Sequence, residues 1–159
     1  MKKKSWLLLG LIFVFITLSC KKDDPTRVEL LTGKNWKLVG CTIDPAVNVG
    51  GTLISDYYAQ MSDCDKDDLY NYKENGSMTR DEGGARCNTN DPQTYMGQWA
   101  FNSDNTILTI TITYGANSVT ESHTIIELSK SSSKTKYTQL LDLGSGSINY
   151  TFTNTYTAQ

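Results

Sequence analysis

The densest group of chemically capable side chains in this sequence is acidic. Asp63, Asp65 and Asp67 alternate along the chain, and Glu74 stands at the twelfth place of the same run. This is the spacing of a calcium-binding loop, in which carboxylate oxygens surround the ion. However, Asp68 occupies the sixth place, where the sharp turn needs glycine, and the residues that follow indicate a strand. The spacing therefore predicts a solvated loop leading into a strand, with weak calcium binding as the alternative.

The single histidine offers little for catalysis. His123 lies in an alternating segment and shares a face with Glu121, Ile125 and Glu127, so we expect a surface histidine. A general base needs a nucleophile and an orienting acid within reach, and the spacing identifies neither. The glycine- and serine-rich run 144–147 lacks the strand-turn-helix context of a nucleophile elbow. The sequence therefore predicts that the protein is not an enzyme and has no catalytic, metal-binding or cofactor-binding residues.

Chain length and charge further limit the class of protein and its partners. The chain has 159 residues, of which 20% are charged and 38% hydrophobic, values typical of one folded domain. The isoelectric point of about 5.3 argues against nucleic acid as a partner, because binding to phosphates needs a basic face.

The first nineteen residues have the pattern of an export signal. Lys2, Lys3 and Lys4 precede an apolar run, 6–18, which is shorter than the roughly 20 residues of a spanning helix. We therefore expect residues 1–19 to be removed. Loss of the three lysines leaves 12 basic against 17 acidic side chains, so the mature chain carries a formal charge of −5.

The end of this run resembles the lipobox of bacterial lipoproteins. Thr17, Leu18 and Ser19 precede Cys20, which in that family becomes the lipid-bearing first residue. The resemblance implies attachment to the membrane through lipid on Cys20, followed by a flexible tether over 20–29. The acidic residues after Lys21 and Lys22 are similar to an export signal that sends lipoproteins of some Gram-negative bacteria to the cell surface. We therefore expect an outer-membrane location, with the periplasmic face as the alternative to the surface.

Three cysteines remain for the folded domain. In an oxidising compartment pairing is expected, and an odd number leaves one free. Cys64 and Cys87 lie in polar, turn-rich segments that flank a predicted hairpin, so we expect them to form a disulfide. Cys41 lies in an apolar strand and is expected to be buried and free, with a pairing of Cys41 as the alternative.

Most of the remaining chain alternates with the period of two that is typical of strands. The clearest case is 106–114, where Leu108, Ile110, Ile112 and Tyr114 share one face and threonines share the other. Turn residues separate eight such segments. The predicted strands are 35–42, 69–73, 77–81, 97–102, 106–114, 118–128, 136–143 and 149–153. Short helices are expected at 26–31, with Thr26 as N-cap, and at 53–61. The sequence predicts an all-β fold.

In order and spacing, several motifs resemble the lipocalin-like lipoproteins of bacteria. The residues that carry the resemblance are those at 31–36, 64–69, 75–76, Cys87 and 97–99. The sequence departs from true lipocalins at one motif: two residues separate Gly33 from Trp36, where those proteins have one. It implies an eight-stranded antiparallel up-and-down β-barrel over 30–159, with a short N-terminal helix.

The same resemblance implies a pocket for a small apolar ligand. The candidate cavity residues are Trp36, Trp99, Phe101, Ile110, Tyr150 and Phe152, because aromatic walls suit apolar ligands. The alternative is that these side chains fill the barrel. In that case the protein has an interaction or structural role in the cell envelope, and tyrosines such as Tyr57, Tyr58, Tyr70 and Tyr72 contact a protein or glycan partner. The sequence identifies no particular ligand or protein partner.

Overall fold

The computed structural model describes residues 24–142 and 146–159. The expected leader 1–19, the lipidation site Cys20 and the first part of the expected tether, 21–23, lie outside the described residues, as do Gly144 and Ser145. No helix in the described part of the chain has the length and hydropathy of a membrane span.

The elements are predominantly strands. In chain order they are α1 Arg27–Leu31, β1 Asn35–Val49, β2 Thr52–Asp56, a 3-10 turn Tyr58–Gln60, α2 Asp63–Lys66, β3 Leu69–Tyr72, β4 Ser77–Asp81, β5 Thr94–Phe101, β6 Ile107–Tyr114, β7 Asn117–Leu128, β8 Ser132–Asp142 and β9 Ser147–Ala158. The eight predicted strands correspond to β1 and β3 to β9.

These eight strands form a closed antiparallel barrel, which confirms the predicted fold. Each of β3 to β9 pairs with its sequence neighbour, and β9 returns to β1 through pairs that run from Trp36↔Ala158 to Asp44↔Thr151. The ladder with β9 ends beside Pro45, which has no N–H to donate. Closure leaves no free edge on the barrel.

Strand β2, which lies outside the eight-stranded barrel, corrects one prediction. A helix was expected over 53–61, but Thr52–Asp56 forms β2, which pairs with the end of β1 through Val49↔Thr52. Gly50 and Gly51 make the turn, with φ of +60° and +89°. A Gly-Gly pair between two strand-forming segments is a hairpin signal, and here it prevails over the predicted helix. The 3-10 turn Tyr58–Gln60 is the helical remainder of this segment.

Helix α1 is present where the sequence predicted it and covers one end of the barrel. Thr26 is its N-cap, and the Thr26 and Glu29 side chains form a capping box. Leu31 is buried, and its carbonyl accepts a hydrogen bond of 2.8 Å from Trp36 Nε1. The helix thus seals what we call the closed end.

The closed end is filled by a hydrophobic cluster. Its buried members are Leu31, Trp36, Tyr72, Met78, Trp99 and Leu108. Trp36 is 1% exposed and Met78 is fully buried. Gly97 permits this packing, because a Cβ at that position would clash with Thr111 O of the neighbouring strand.

The opposite end carries the opening. Strand β7 runs the length of the barrel: Leu128 packs against the closed-end cluster, whereas Val119, near its other end, is 50% exposed. We call this second end the mouth. Outside the barrel, cross-strand hydroxyl contacts such as Thr111 to Thr120, 2.8 Å apart, confirm that the threonines of β6 face outward.

Truncation of Trp36 tests the role of the closed end. We expect Trp36→Ala to lower the free energy of unfolding by about 3–5 kcal/mol, since it removes a buried aromatic side chain and its hydrogen bond. Val39→Ala, at a half-exposed position of the same strand, should change it by less than about 1 kcal/mol. Urea unfolding followed by far-UV circular dichroism measures both, and similar losses would contradict this account.

Candidate functional site: an interior cavity at the mouth

A cavity of about 240 Å³ lies inside the barrel between the closed-end cluster and the mouth. Its aromatic lining consists of Tyr57, Tyr70, Tyr72, Tyr114, Tyr137 and Tyr156. Its apolar lining consists of Leu38, Cys41, Met61, Ile110, Ile112 and Val119. Arg80, Glu121, His123 and Asn154 supply charged and polar groups. The wall is therefore mixed, with rings, aliphatic groups and ionisable groups facing one space.

The strand register explains how these groups converge. Successive side chains of a strand point to opposite faces, so alternate residues of one strand enter the barrel together. Strand β7 contributes Val119, Glu121 and His123, and Ile110 of β6 lies opposite Glu121 in the ladder. Strand β3 contributes Tyr70 and Tyr72 by the same rule.

His123 is a correction to the sequence analysis, which placed it on the surface. Its exposure is 4%, and Nε2 lies 3.0 Å from Glu121 Oε2. Because an ionised carboxylate only accepts hydrogen bonds, Nε2 donates. Thr135 Oγ1 lies 3.4 Å from Nδ1, and the ring of Tyr137 has its centroid 4.7 Å away. These partners offset the loss of hydration that burial imposes on the ring.

Arg80 points inward from β4 and is held by two buried carboxylates. Its Nη2 lies 2.7 Å from Asp68 Oδ2 and 3.2 Å from Glu82 Oε1, and its Nε donates to Asp68 Oδ2 at 2.9 Å. Nη1 donates to the hydroxyl of Tyr114 at 3.2 Å. The guanidinium charge is thus more than matched by carboxylates on the side away from the cavity.

Burial is the main influence on the pKa of Asp68. The residue is 2% exposed, and its Oδ1 accepts no hydrogen bond from any described residue. Desolvation raises the pKa of Asp68 to about 6, although the neighbouring Arg80 acts in the opposite direction. Burial likewise raises the pKa of the Cys41 thiol to about 11 and raises the pKa of Tyr70. These groups therefore stay protonated at neutral pH, unlike Asp68.

One side of the mouth is formed by residues 57–68, which we call the cover segment. Tyr57 and Met61 of this segment line the cavity. The Cys64–Cys87 disulfide ties the segment to the loop after β4, which confirms the predicted pairing, and Cys41 is buried and free as expected. Closing this loop stabilises the fold by about 3 kcal/mol on the chain-entropy model.

The acidic residues of the cover segment bind separate protein groups. Asp67 Oδ2 accepts hydrogen bonds from the backbone N–H groups of Gly84 and Ala85, at 2.7 and 3.0 Å. Asp65 accepts a short hydrogen bond from the Ser62 hydroxyl, and Asp63 pairs with Lys66 across 3.6 Å. The Asp67 contacts attach the cover segment to the loop after β4, whereas the Asp63 and Asp65 contacts hold the segment itself together.

The six predicted cavity residues do not lie together. Ile110 lines the cavity, whereas Trp36 and Trp99 are buried in the closed-end cluster. Phe101 and Ile110 both pack against that cluster. Tyr150 and Phe152 belong to a second cluster, with Leu38, Cys41 and Ile43. Tyr57, Tyr70 and Tyr72, which the alternative prediction assigned to contacts with a partner, line the cavity.

The sequence predicts neither Arg80 nor Glu121 as a cavity residue. Alternation places Arg80 on the face of Met78, and Glu121 on the face of His123 and Ile125. This alternation is the available signal. However, polar side chains are normally expected on the outer face of a barrel, so their polarity favoured the wrong face.

No family model matches the chain, and no curated protein matches its sequence.

The pH dependence of stability tests the state of Asp68. The folded protein holds this proton more tightly than the unfolded chain, whose ordinary pKa is 3.8. The contribution to stability is therefore full below pH 3.8 and is lost as pH rises through 6. Relative to Asp68→Asn, we expect the wild-type free energy of unfolding to fall by up to about 3 kcal/mol across this range.

A neighbouring aspartate gives a control of opposite sign. Hydrogen bonds from Gln93, the Gly83 N–H and Thr94 lower the pKa of Asp81, so its contribution is present at neutral pH and is lost as pH falls. Urea unfolding of the wild type, Asp68→Asn and Asp81→Asn at several pH values measures the contribution of each aspartate. A wild-type advantage over Asp68→Asn that stays constant from pH 3.5 to 7 would contradict the assignment.

Proposed function

We propose that this protein is a lipid-anchored outer-membrane lipoprotein of the lipocalin-like kind, whose barrel binds a small molecule in the interior cavity. The observation that carries the proposal is the cavity itself, a space of about 240 Å³ with rings, aliphatic groups and hydrogen-bonding groups on its wall. A barrel with only a structural role has no need for charged side chains facing an interior space, because each is costly to desolvate. We propose no enzymatic role.

The volume limits the ligand. An engineered cavity of about 150 Å³ binds benzene, and drug-sized ligands occupy roughly 300–1,000 Å³. A space of about 240 Å³ therefore suits a compact molecule with one ring or a short aliphatic body. The polar wall groups favour an amphipathic molecule over the purely apolar one that the sequence suggested.

The anchor rests on the sequence. Cys20 follows the lipobox-like residues Thr17, Leu18 and Ser19, and a multiply acylated cysteine gives stable attachment to a bilayer. The lysines and aspartates at 21–24 support a location at the cell surface. The Cys64–Cys87 disulfide is also consistent with export, since the compartments outside the cytoplasm are oxidising.

A second function is favoured by an apolar groove beside the β1–β2 hairpin. Ile43, Val47, Val49, Ile54, Leu141 and Phe152 line it, and Val49 and Leu53 are largely exposed. Such a surface suits contact with another envelope component. Closure of the cavity mouth separates the two functions, because it leaves this groove unchanged.

Blocking the mouth tests the ligand-binding proposal. Val119 is half-exposed and lines the cavity, so Val119→Trp should fill the mouth without overpacking the core. We expect wild-type protein extracted in mild detergent to retain a small molecule detectable by native mass spectrometry, and Val119→Trp to lose it. Val39→Trp, on the outer face of β1, is the matched control. Equal recovery from both variants, or none from the wild type, would contradict the proposal.

Replacement of Cys20 tests the anchor. We expect Cys20→Ala to move the protein from the detergent phase to the aqueous phase in a Triton X-114 partition, because the lipid attachment site is lost. Cys41→Ala, which removes the buried free thiol, should remain in the detergent phase. Protease treatment of intact cells addresses the face of the membrane, and full protection of the barrel would exclude surface display. A Cys20→Ala protein that stays in the detergent phase would exclude the anchor.

A further inference from the structure

We propose that the cavity binds a small organic cation, an amine attached to a ring or a short apolar body, with Glu121 as its counter-ion. This inference rests on the proposed function, because it names the ligand class of the same cavity. It follows from which charged groups of the wall are already neutralised and which are still accessible.

The positive charge of the wall is already matched. Arg80 lies between Asp68 and Glu82, at 2.7 and 3.2 Å from Nη2, and both carboxylates are almost completely buried. Its Nη1 is engaged by the Tyr114 hydroxyl. An anionic ligand would have to compete with two fixed carboxylates for one guanidinium, so the Arg80 group is unfavourable for an anion.

The negative charge of the wall is accessible. Glu121 lines the cavity, and its side chain is 43% exposed, in contrast to Asp68 and Glu82. His123 is its hydrogen-bond partner, and no lysine or arginine in the described ranges lies within 4 Å of its carboxylate. Glu121 can therefore accept a charge-assisted hydrogen bond from an ammonium group inside the cavity.

The rings of the wall act in the same direction. Six tyrosines line the cavity, and the faces of aromatic rings attract cations. Among them, Tyr137 packs beside His123, whose Nε2 contacts Glu121, so this ring and the carboxylate border the same part of the cavity. Cages of aromatic rings are a known solution for binding ammonium groups.

The remaining wall defines the body of the ligand. Leu38, Ile110 and Ile112 supply aliphatic surface without charge. A bare metal ion gains nothing from contact with aliphatic surface, whereas the carbon skeleton of an amine is stabilised by burial against it. The volume of about 240 Å³ accommodates a single-ring amine.

Three probes of similar size and different charge test the inference. Phenethylamine is cationic at pH 7, 2-phenylethanol is neutral and phenylacetate is anionic. We expect isothermal titration of the full-length protein in mild detergent to show that phenethylamine binds at least about tenfold more tightly than 2-phenylethanol, with phenylacetate weakest. The wild-type comparison needs no variant, so it is independent of any effect of mutation on folding.

Two charge-neutralising variants on β7 locate the counter-ion. Glu121→Gln keeps an oxygen that can accept the His123 hydrogen bond, and it should lower the affinity for phenethylamine to the level of 2-phenylethanol. Glu127→Gln makes the same charge change at an exposed position of the same strand and should leave the affinity unchanged. Thermal melting by circular dichroism verifies that both variants fold.

The outcomes separate this inference from the proposed function. Equal or tighter binding of 2-phenylethanol or phenylacetate, lost in Val119→Trp, would overturn the cation inference and support the cavity as a binding site. An unchanged amine affinity in Glu121→Gln would overturn the role of Glu121. Failure of all three probes to bind would overturn the cation inference, whereas a co-purifying molecule lost in Val119→Trp would still support the proposed function.

Discussion

The pairing of β1 with β9 is the constraint on which the rest of the structure depends. It joins the first and last strands of the sheet from Trp36↔Ala158 to Asp44↔Thr151 and converts an open meander into a barrel. Closure fixes which half of every strand's side chains must enter the interior. The chain therefore has to fill or partner every inward position, polar ones included, and the two ends of the barrel meet this demand differently.

At the closed end the demand is met by packing. Trp36, Met78 and Trp99 interlock beneath α1, and the indole N–H groups of the two tryptophans donate to the backbone carbonyls of Leu31 and Lys73. Aromatic residues can fill a core only when such polar atoms have partners. Towards the mouth the demand is met by pairing: Arg80 with its carboxylates, and His123 with Glu121. The cavity lies where packing gives way to pairing.

This division explains how much the sequence could predict. Alternation identified all eight barrel strands, and turn composition identified the Cys64–Cys87 pair, because both signals are local. Alternation also grouped Glu121 with His123 correctly, but it cannot say which group faces inward. The polarity of a face shows that it turns outward only where the interior is apolar. The interior at the cavity is not apolar, so polarity is misleading there. The division of the aromatic residues into two clusters, with Trp36 and Trp99 in one and Tyr150 and Phe152 in the other, depends on long-range register. Single-sequence periodicity carries no information about that register.

The position of α1 has a consequence for the direction of traffic through the barrel. The chain enters the fold at the closed end, and residues 20–26, which would link Cys20 to α1, can span at most about 25 Å when extended. The proposed anchor at Cys20 would therefore hold the sealed end near the bilayer and turn the opening outward. Molecules would enter and leave from the aqueous phase, so the relevant pool is what is dissolved outside the membrane, not the lipids within it.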